Sequence, residues 1–101
     1  MKIVNSDEFK QIIAKGTTVV DFYADWCGPC KMLGPVLEGV ASNYPEINFV
    51  KVNCDESMDI ADEYRIMSIP AVFMFVDGQV KASFVGYKEK DGVERFIKEN
   101  K

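Results

Sequence analysis

Residues 17–31 read TTVVDFYADWCGPCK, and two different structural patterns meet within this stretch. From Thr17 to Ala24 it is an almost unbroken apolar run rich in β-branched and aromatic residues, which is typical of a strand covered on both faces, as in a parallel sheet. After Cys30 the apolar residues recur at spacings of three and four, which predicts a helix that stops before Pro45. A buried strand therefore leads directly, through two cysteines, into a helix.

The segments on either side extend this alternation. A strand predicted over 47–53 completes a strand–helix–strand unit, whose crossover is right-handed and whose strands are parallel. Asn5 or Ser6 can cap a first helix over 6–15. The turn dipeptide Asp77-Gly78 predicts an antiparallel hairpin. The remaining predicted elements are a short helix over 58–66, strands over 71–76 and 80–84, and a closing helix over 89–99.

Helices before, between and after the strands predict an α/β protein with three α/β/α layers. We expect a central mixed sheet of about five strands flanked by four helices. The 101 residues have room for one core and no repeat or linker, so residues 1–101 are predicted to be a single domain. Ligands of such sheets bind at the carboxyl ends of parallel strands, which places the chemistry just after Tyr23.

Composition excludes several classes of function. Twelve basic residues against sixteen acidic ones give a net charge of −4, which opposes binding to nucleic acid. The polar start of the chain has no signal pattern, and no uncharged run is long enough to span a membrane, so a cytoplasmic protein is expected. The chain contains no histidine, which rules out a Cys–His or Ser–His catalytic pair within it.

Cys27 and Cys30 are three residues apart and open the second helix. This spacing puts both thiols on one face, close enough to close a disulfide with little movement of the backbone. Cys27 lies at the helix start, where free N–H groups and the helix dipole stabilise a thiolate, so we expect it to be an exposed nucleophile. Cys30, one turn in, is expected to be more sheltered and to resolve the mixed disulfide. Pro29 is tolerated in a first turn and stiffens the loop.

The alternative is that the two cysteines are half of a metal site. Structural zinc needs four ligands, whereas the chain offers Cys27, Cys30 and Cys54 and no second CxxC pair, so no metal is expected. Cys54 has no sequence neighbour with which to pair. A buried, inert thiol is favoured over a regulatory one, because free cysteine behaves as a small hydrophobic residue.

Along its whole length the chain resembles the thioredoxin family. The Gly28-Pro29 pair between the cysteines is the pair typical of that family, whereas glutaredoxins and disulfide isomerases usually carry other residues there. The stretches that carry the resemblance are Asp21–Lys31, Pro35, Lys51–Asn53, Ser68–Pro70, Asp77–Gly78 and Val85–Gly86.

The resemblance implies roles for two charged residues. Asp21 interrupts the apolar strand, where desolvation should raise its pKa enough to accept a proton near neutral pH. By resemblance it is the buried acid beneath the disulfide and serves as base for Cys30, often through water, with Lys51 on the adjacent strand as its charge partner. The alternative is that Asp21 is a polar residue at a strand edge and that Lys51 is simply solvated.

The resemblance also implies a docking surface. For an arbitrary X–Pro bond the trans form is the default, but Ile69-Pro70 resembles the cis-proline loop that packs against the disulfide. There the backbone of Ile69 would pair with an extended substrate segment. A Trp or Ile taken singly is more often a core residue, but Trp26 directly precedes the nucleophile. The expected apolar rim around Cys27 consists of Trp26, Gly28, Pro29, Ile69, Pro70, Val85 and Gly86.

Taken together, these features predict a protein-disulfide reductase that cycles between dithiol and disulfide without a bound cofactor. The resemblance implies a monomer that is recharged by a thioredoxin reductase, linked either to a pyridine nucleotide through flavin or to ferredoxin. It also implies disulfide-containing client proteins of the ribonucleotide reductase, peroxiredoxin and methionine sulfoxide reductase classes. The alternative is a binding module of the same fold whose thiols are incidental.

Overall fold

The computed structural model describes residues 1–101 and contains five strands and four helices. In chain order they are β1 (Lys2–Ile3), α1 (Ser6–Ile13), β2 (Thr17–Tyr23), α2 (Gly28–Ala41), β3 (Asn48–Asn53), α3 (Met58–Glu63), β4 (Ala71–Val76), β5 (Gln79–Val85) and α4 (Lys90–Asn100). The strands form one sheet in the order β1-β3-β2-β4-β5. β1, β3 and β2 are parallel, whereas β4 is antiparallel to β2 and β5 is antiparallel to β4. The predicted mixed sheet and its four helices are confirmed.

β2 is the central strand, and its alternating side chains separate two cores. On one face Val19 packs in a cluster with residues of α2 and α4, among them Leu37 and Ile97. On the other face Val20 and Phe22 pack in a second cluster with residues of α1 and α3. This burial on both faces explains why the strand reads as a continuous apolar run.

Local signals determine where most elements begin and end. Asn5 caps α1 in a capping box, in which its side chain accepts the N–H of Glu8 while Glu8 accepts the N–H of Asn5. Asp77 and Gly78 both have positive φ, as the tight turn between β4 and β5 requires. The turn is also tied to the chain ahead of β2, because Gly16 and Asp77 exchange two hydrogen bonds.

β1 is the one element that the sequence analysis does not predict individually. Lys2 and Ile3 are both exposed, so no buried face leaves a pattern in the sequence. The strand exists through backbone pairing with Val50 and Lys51 of β3. At the other edge of the sheet, β5 contains a bulge. Phe75 pairs with Val80 and Met74 pairs with Ala82, which leaves Lys81 without a partner on β4.

Candidate active site

The two cysteines lie in the first turn of α2. Cys27 is the N-cap residue, and its sulfur accepts a hydrogen bond from the backbone N–H of Cys30 at 3.2 Å. A side chain at the N-cap that accepts this N–H satisfies one of the donors that helix geometry leaves free. The side chains form a disulfide, and their Cα atoms are 5.3 Å apart, within the usual range. The predicted position of Cys27 at the helix start is therefore observed.

Burial does not distinguish the two cysteines in this disulfide form. Cys27 is 4% exposed and Cys30 is 3% exposed. Tyr23 and Ile69 pack against them. The expectation of an exposed Cys27 is wrong for this form, because these two neighbours cover the disulfide. The asymmetry between the cysteines lies in their positions at the helix terminus.

Asp21 is a buried acid with no partner. It is 1% exposed, and neither of its carboxylate oxygens has a hydrogen-bond partner. Burial raises the pKa of Asp21 to about 6, while the charge of Lys51 lowers it by a smaller amount. Because β2 is the central strand, Asp21 is not a residue at a sheet edge. It lies on the same face of β2 as Tyr23, which contacts both cysteines.

Lys51 lies on β3, directly opposite Asp21 in the register of the two strands. Its ammonium group does not bond to the carboxylate, since both Asp21 oxygens are without partners. Instead, Lys51 Nζ lies 4.2 Å from the centroid of the Tyr23 ring, a cation–π distance. Lys51 is therefore a charge neighbour that acts on Asp21 without forming an ion pair with it.

We expect Lys51→Met to raise the pKa of Asp21 above its present value of about 6, because the substitution removes the cation that favours the carboxylate. Titration of the Asp21 carboxyl carbon by NMR measures the change. Lys31→Met is the matched control, since Lys31 is an exposed lysine near the cysteines that does not shift the Asp21 pKa. An Asp21 pKa that stays the same or falls in Lys51→Met would contradict the assigned effect.

The loop before β4 meets the disulfide. The Ile69–Pro70 peptide bond is cis, as the resemblance implies. The carbonyl oxygen of Ile69 lies 3.8 Å from Cys27 Sγ, and the carbonyl oxygen of Pro70 accepts the N–H of Gly86 at 2.7 Å. The start of α2, the loop before β4 and the end of β5 therefore come together around Cys27.

The residues of the expected rim differ in exposure. Trp26 is 72% exposed and Val85 is 61% exposed, so both are surface residues. Ile69 and Gly86 are half-buried, whereas Pro70 is buried and presents little surface of its own. Pro70 therefore contributes its cis bond and its backbone carbonyl to the expected rim more than side-chain surface. Gly28 and Pro29 are exposed as expected.

Asp55 is a site residue that the sequence analysis missed. The indole Nε1 of Trp26 donates a hydrogen bond to Asp55 Oδ2 at 3.0 Å. This bond holds the exposed ring at one orientation beside Cys27. The sequence signal that could have found Asp55 is its position. It is the second residue after β3, and the carboxyl ends of parallel strands meet at one edge of the sheet.

Cys54 is half-buried and unpaired. Burial raises the pKa of its thiol to about 11, helped by the charges of Asp55 and Asp21, so at neutral pH it is almost entirely the unreactive thiol. We expect Cys54→Ser to keep disulfide-reductase turnover within about twofold of the wild type, because a protonated thiol takes no part in disulfide exchange. An insulin-reduction assay measures turnover, with circular dichroism to verify the fold. A loss of most of the turnover in a folded variant would contradict this assignment.

Two further observations concern metal-binding clusters and membrane-spanning helices. No group of three or more Cys, Asp or Glu side chains in the chain could hold a metal ion. None of the four helices combines the length and the apolar character that crossing a membrane requires.

Comparison with known proteins agrees with this geometry. The family model described as thioredoxin matches residues 1–99. A curated thioredoxin of Chlamydia pneumoniae is 42% identical over 97 residues, which cover 96% of this chain and 95% of that protein. A solved structure of Plasmodium falciparum thioredoxin is 31% identical with a TM-score of 0.92, covering 98% of both chains.

A second solved structure comes from work on thiol resolution in yeast mitochondrial 1-Cys peroxiredoxin by the glutathione and thioredoxin systems. It is 37% identical to this chain with a TM-score of 0.89 and covers 98% of this chain and 94% of its own. Thioredoxins act on disulfide-containing substrates and receive electrons from a reductase. Because the match extends over nearly the whole chain and the cysteine pair forms a disulfide at the start of α2, this protein is a thiol–disulfide reductase that belongs to the thioredoxin family.

Proposed function

We propose that Cys27 is the attacking thiol and Cys30 the resolving thiol of a general protein-disulfide reductase. The observation that carries this assignment is the hydrogen bond from the Cys30 N–H to the sulfur of Cys27. In the reduced protein the same donor and the positive end of α2 favour a thiolate at Cys27, because both interact more strongly with a negative sulfur. Cys30, three residues into the helix, has no comparable donor.

The reaction balances in two exchange steps. The Cys27 thiolate attacks one sulfur of the client disulfide, forms a mixed disulfide and releases the other client sulfur as a thiolate. The Cys30 thiolate then attacks Cys27 Sγ, which forms the Cys27–Cys30 disulfide and releases the second client sulfur. The client gains two electrons, and the protons first held by Cys27 and Cys30 are transferred to its two thiols.

Asp21 takes the proton of Cys30 before the second step. An acid with a pKa of about 6 is mostly ionised at pH 7, yet it is basic enough to accept a proton, which suits a general base at neutral pH. Its oxygens have no hydrogen-bond partner, and it lies on the same face of β2 as Tyr23, which packs with the two cysteines, so it is available to take the proton directly or through one water. Lys51 lies opposite and limits how far the Asp21 pKa rises.

The client segment docks on the exposed residues around Cys27. Trp26 and Val85 supply apolar surface, and the backbone of Ile69 pairs with an extended client strand next to the Pro70 cis bond. Gly28, Pro29 and Gly86 leave the approach to Cys27 free of bulky side chains. This surface can bind many different clients, because it contacts the client backbone and apolar groups and does not depend on one particular client side chain.

The partners follow from this chemistry. A thioredoxin reductase, linked to NADPH or to ferredoxin, returns two electrons to the disulfide. Proposed client classes are ribonucleotide reductase, peroxiredoxin and methionine sulfoxide reductase, and a similar solved structure comes from work on a peroxiredoxin. We place the protein in the cytoplasm as a monomer, with residues 1–101 as one domain around the two core clusters.

Reduction of insulin by dithiothreitol tests the proposed function. The wild type is expected to accelerate the reaction far above the uncatalysed rate, because it relays electrons through Cys27. A variant with both Cys27→Ser and Cys30→Ser, which keeps the docking surface, should return the rate to background. An equal rate for the wild type and this double variant would show a binding module whose thiols are incidental.

A further inference from the structure

A groove of about 200 Å³ lies beside the loop that contains Ile69 and Pro70, on the α3 side of the sheet. It is formed by the segment between α3 and β4, by β4 and by the edge strand β5. Apart from Val85, which belongs to the proposed docking surface, its wall residues have no role in the proposed function. The walls consist mainly of Ile66, Met67, Ala71, Phe73, Ser83 and Val85.

The shape of the groove follows from the exposure of these residues. Ala71 is 1% exposed and therefore lies at the bottom, whereas Met67 is 91% exposed and stands beside the opening. Phe73 is half-buried and faces the groove between them. An apolar surface that is open to water in this way is stabilised when another apolar group covers it.

The groove is continuous with the docking surface. Val85 belongs to both, and it pairs with Ala71, the residue that follows Pro70. The N–H of the next residue, Gly86, bonds to the carbonyl of Pro70 and holds the end of β5 against the loop. A client strand that pairs with Ile69 therefore passes the opening of the groove.

The size and chemistry of the groove indicate its occupant. Pockets for small molecules and cofactors usually measure about 300–1,000 Å³, so this groove is small for such a ligand and suits a single side chain. Five of its eight lining residues are hydrophobic, and the remaining three are Ser68, Ser83 and the exposed Arg65, with no carboxylate among them. Methionine adapts its shape to different apolar partners, which suits a surface that meets many clients.

We propose that this groove is a side-chain subsite for an apolar residue of the client segment, with Met67 as its specificity-determining residue. The proposal rests on the proposed function, because the client must first dock beside Cys27. In strand pairing, main-chain bonds give affinity and pockets for alternate side chains give specificity. The subsite therefore adds a preference among clients to an otherwise general docking surface.

Symmetric peptide dimers joined by one disulfide test the proposal. The parent peptide contains only small polar residues around its cysteine, and leucine or serine is placed at each of three positions on either side. For the wild type we expect one position at which leucine raises kcat/KM about tenfold over serine, the size of a hydrophobic-pocket preference. Equal kcat/KM values for leucine and serine at every position would overturn the proposal.

Variants of the groove make the test specific. Met67→Ser should lower the leucine preference at least threefold, and Ser83→Phe, which fills the groove from β5, should remove it. Met58→Ser is the matched control, since Met58 is another exposed methionine that does not line the groove. An unchanged preference in both groove variants would overturn the proposal. Reduction of the all-serine peptide reports the proposed function separately, and its loss would instead indicate failure of that function.

Discussion

Replacing Cys30 by serine will convert the protein into a trap for its clients. Cys27 in this variant still attacks a client disulfide, but no second thiol is present to release the mixed disulfide, so covalent adducts accumulate. Steady-state reduction of insulin should fall to the uncatalysed rate. Mass spectrometry after incubation with an oxidised client should find the adduct on the peptide that contains Cys27.

Cys27→Ser is the matched control for this experiment. It removes the thiol at the helix start and leaves Cys30 inside the first turn. The sulfur of Cys30 accepts no backbone hydrogen bond like the one that the sulfur of Cys27 accepts. We expect no accumulation of adduct, although turnover is lost to the same extent. Equal trapping by the two variants would show that the roles of Cys27 and Cys30 are not distinct. The Cys54→Ser background excludes adducts through the third cysteine.

Replacing Asp21 by asparagine will stabilise the fold at neutral pH and slow disulfide reduction. The carboxyl of Asp21 has an ordinary pKa of 3.8 when exposed and a pKa of about 6 when buried in the native protein. The folded state therefore favours the protonated form. This contribution to stability is fully present below about pH 4 and is lost as the pH rises through about 6.

The difference between the two pKa values corresponds to about 3 kcal/mol, since each pH unit is worth about 1.4 kcal/mol. Asparagine has nearly the same shape and does not ionise, so Asp21→Asn should be more stable than the wild type by about that amount above pH 7. Denaturant unfolding between pH 4 and 8 measures the difference, which should shrink toward acid pH. Asp25→Asn, an exposed aspartate close to the site, is the matched control.

The same variant lacks the proposed base for Cys30. We expect its rate of disulfide reduction at pH 7 to fall by about tenfold or more. A general base usually contributes about 10²–10⁴-fold to a rate. The deficit should narrow at higher pH, where the Cys30 thiol ionises without help. A normal rate at pH 7 together with reduced stability would identify Asp21 as an ordinary structural acid.

The sequence analysis predicted the elements that have a buried face. β2, α2 and β4 were visible because each buries apolar residues at the spacing of its own geometry. β1 could not be predicted, because its two exposed residues are held by backbone pairing alone. The end of α2 differs from the prediction for another reason. The helix ends at Ala41, but a turn carries Tyr44 into the same core cluster, so the apolar spacing continues past the end of the helix.

The candidate site was predicted in its parts but not in all its contacts. The CxxC spacing predicts the pairing of Cys27 with Cys30, and the acid within an apolar strand predicts the burial of Asp21; the structure shows both. The position of the Lys51 ammonium over the Tyr23 ring depends on how two strands align, which no local pattern encodes. The bond from Trp26 to Asp55 likewise joins residues 29 positions apart.

The two borders of the sheet have a consequence for the behaviour of the protein at high concentration. A long, flat border with free backbone groups would recruit further chains and start fibres. β1 is only two residues long, and β5 is interrupted where Lys81 is left unpaired in the bulge. Both borders are therefore poor templates for aggregation. The proposed pairing of client strands with Ile69 does not change this, because that contact lies in a loop and cannot propagate along a sheet border.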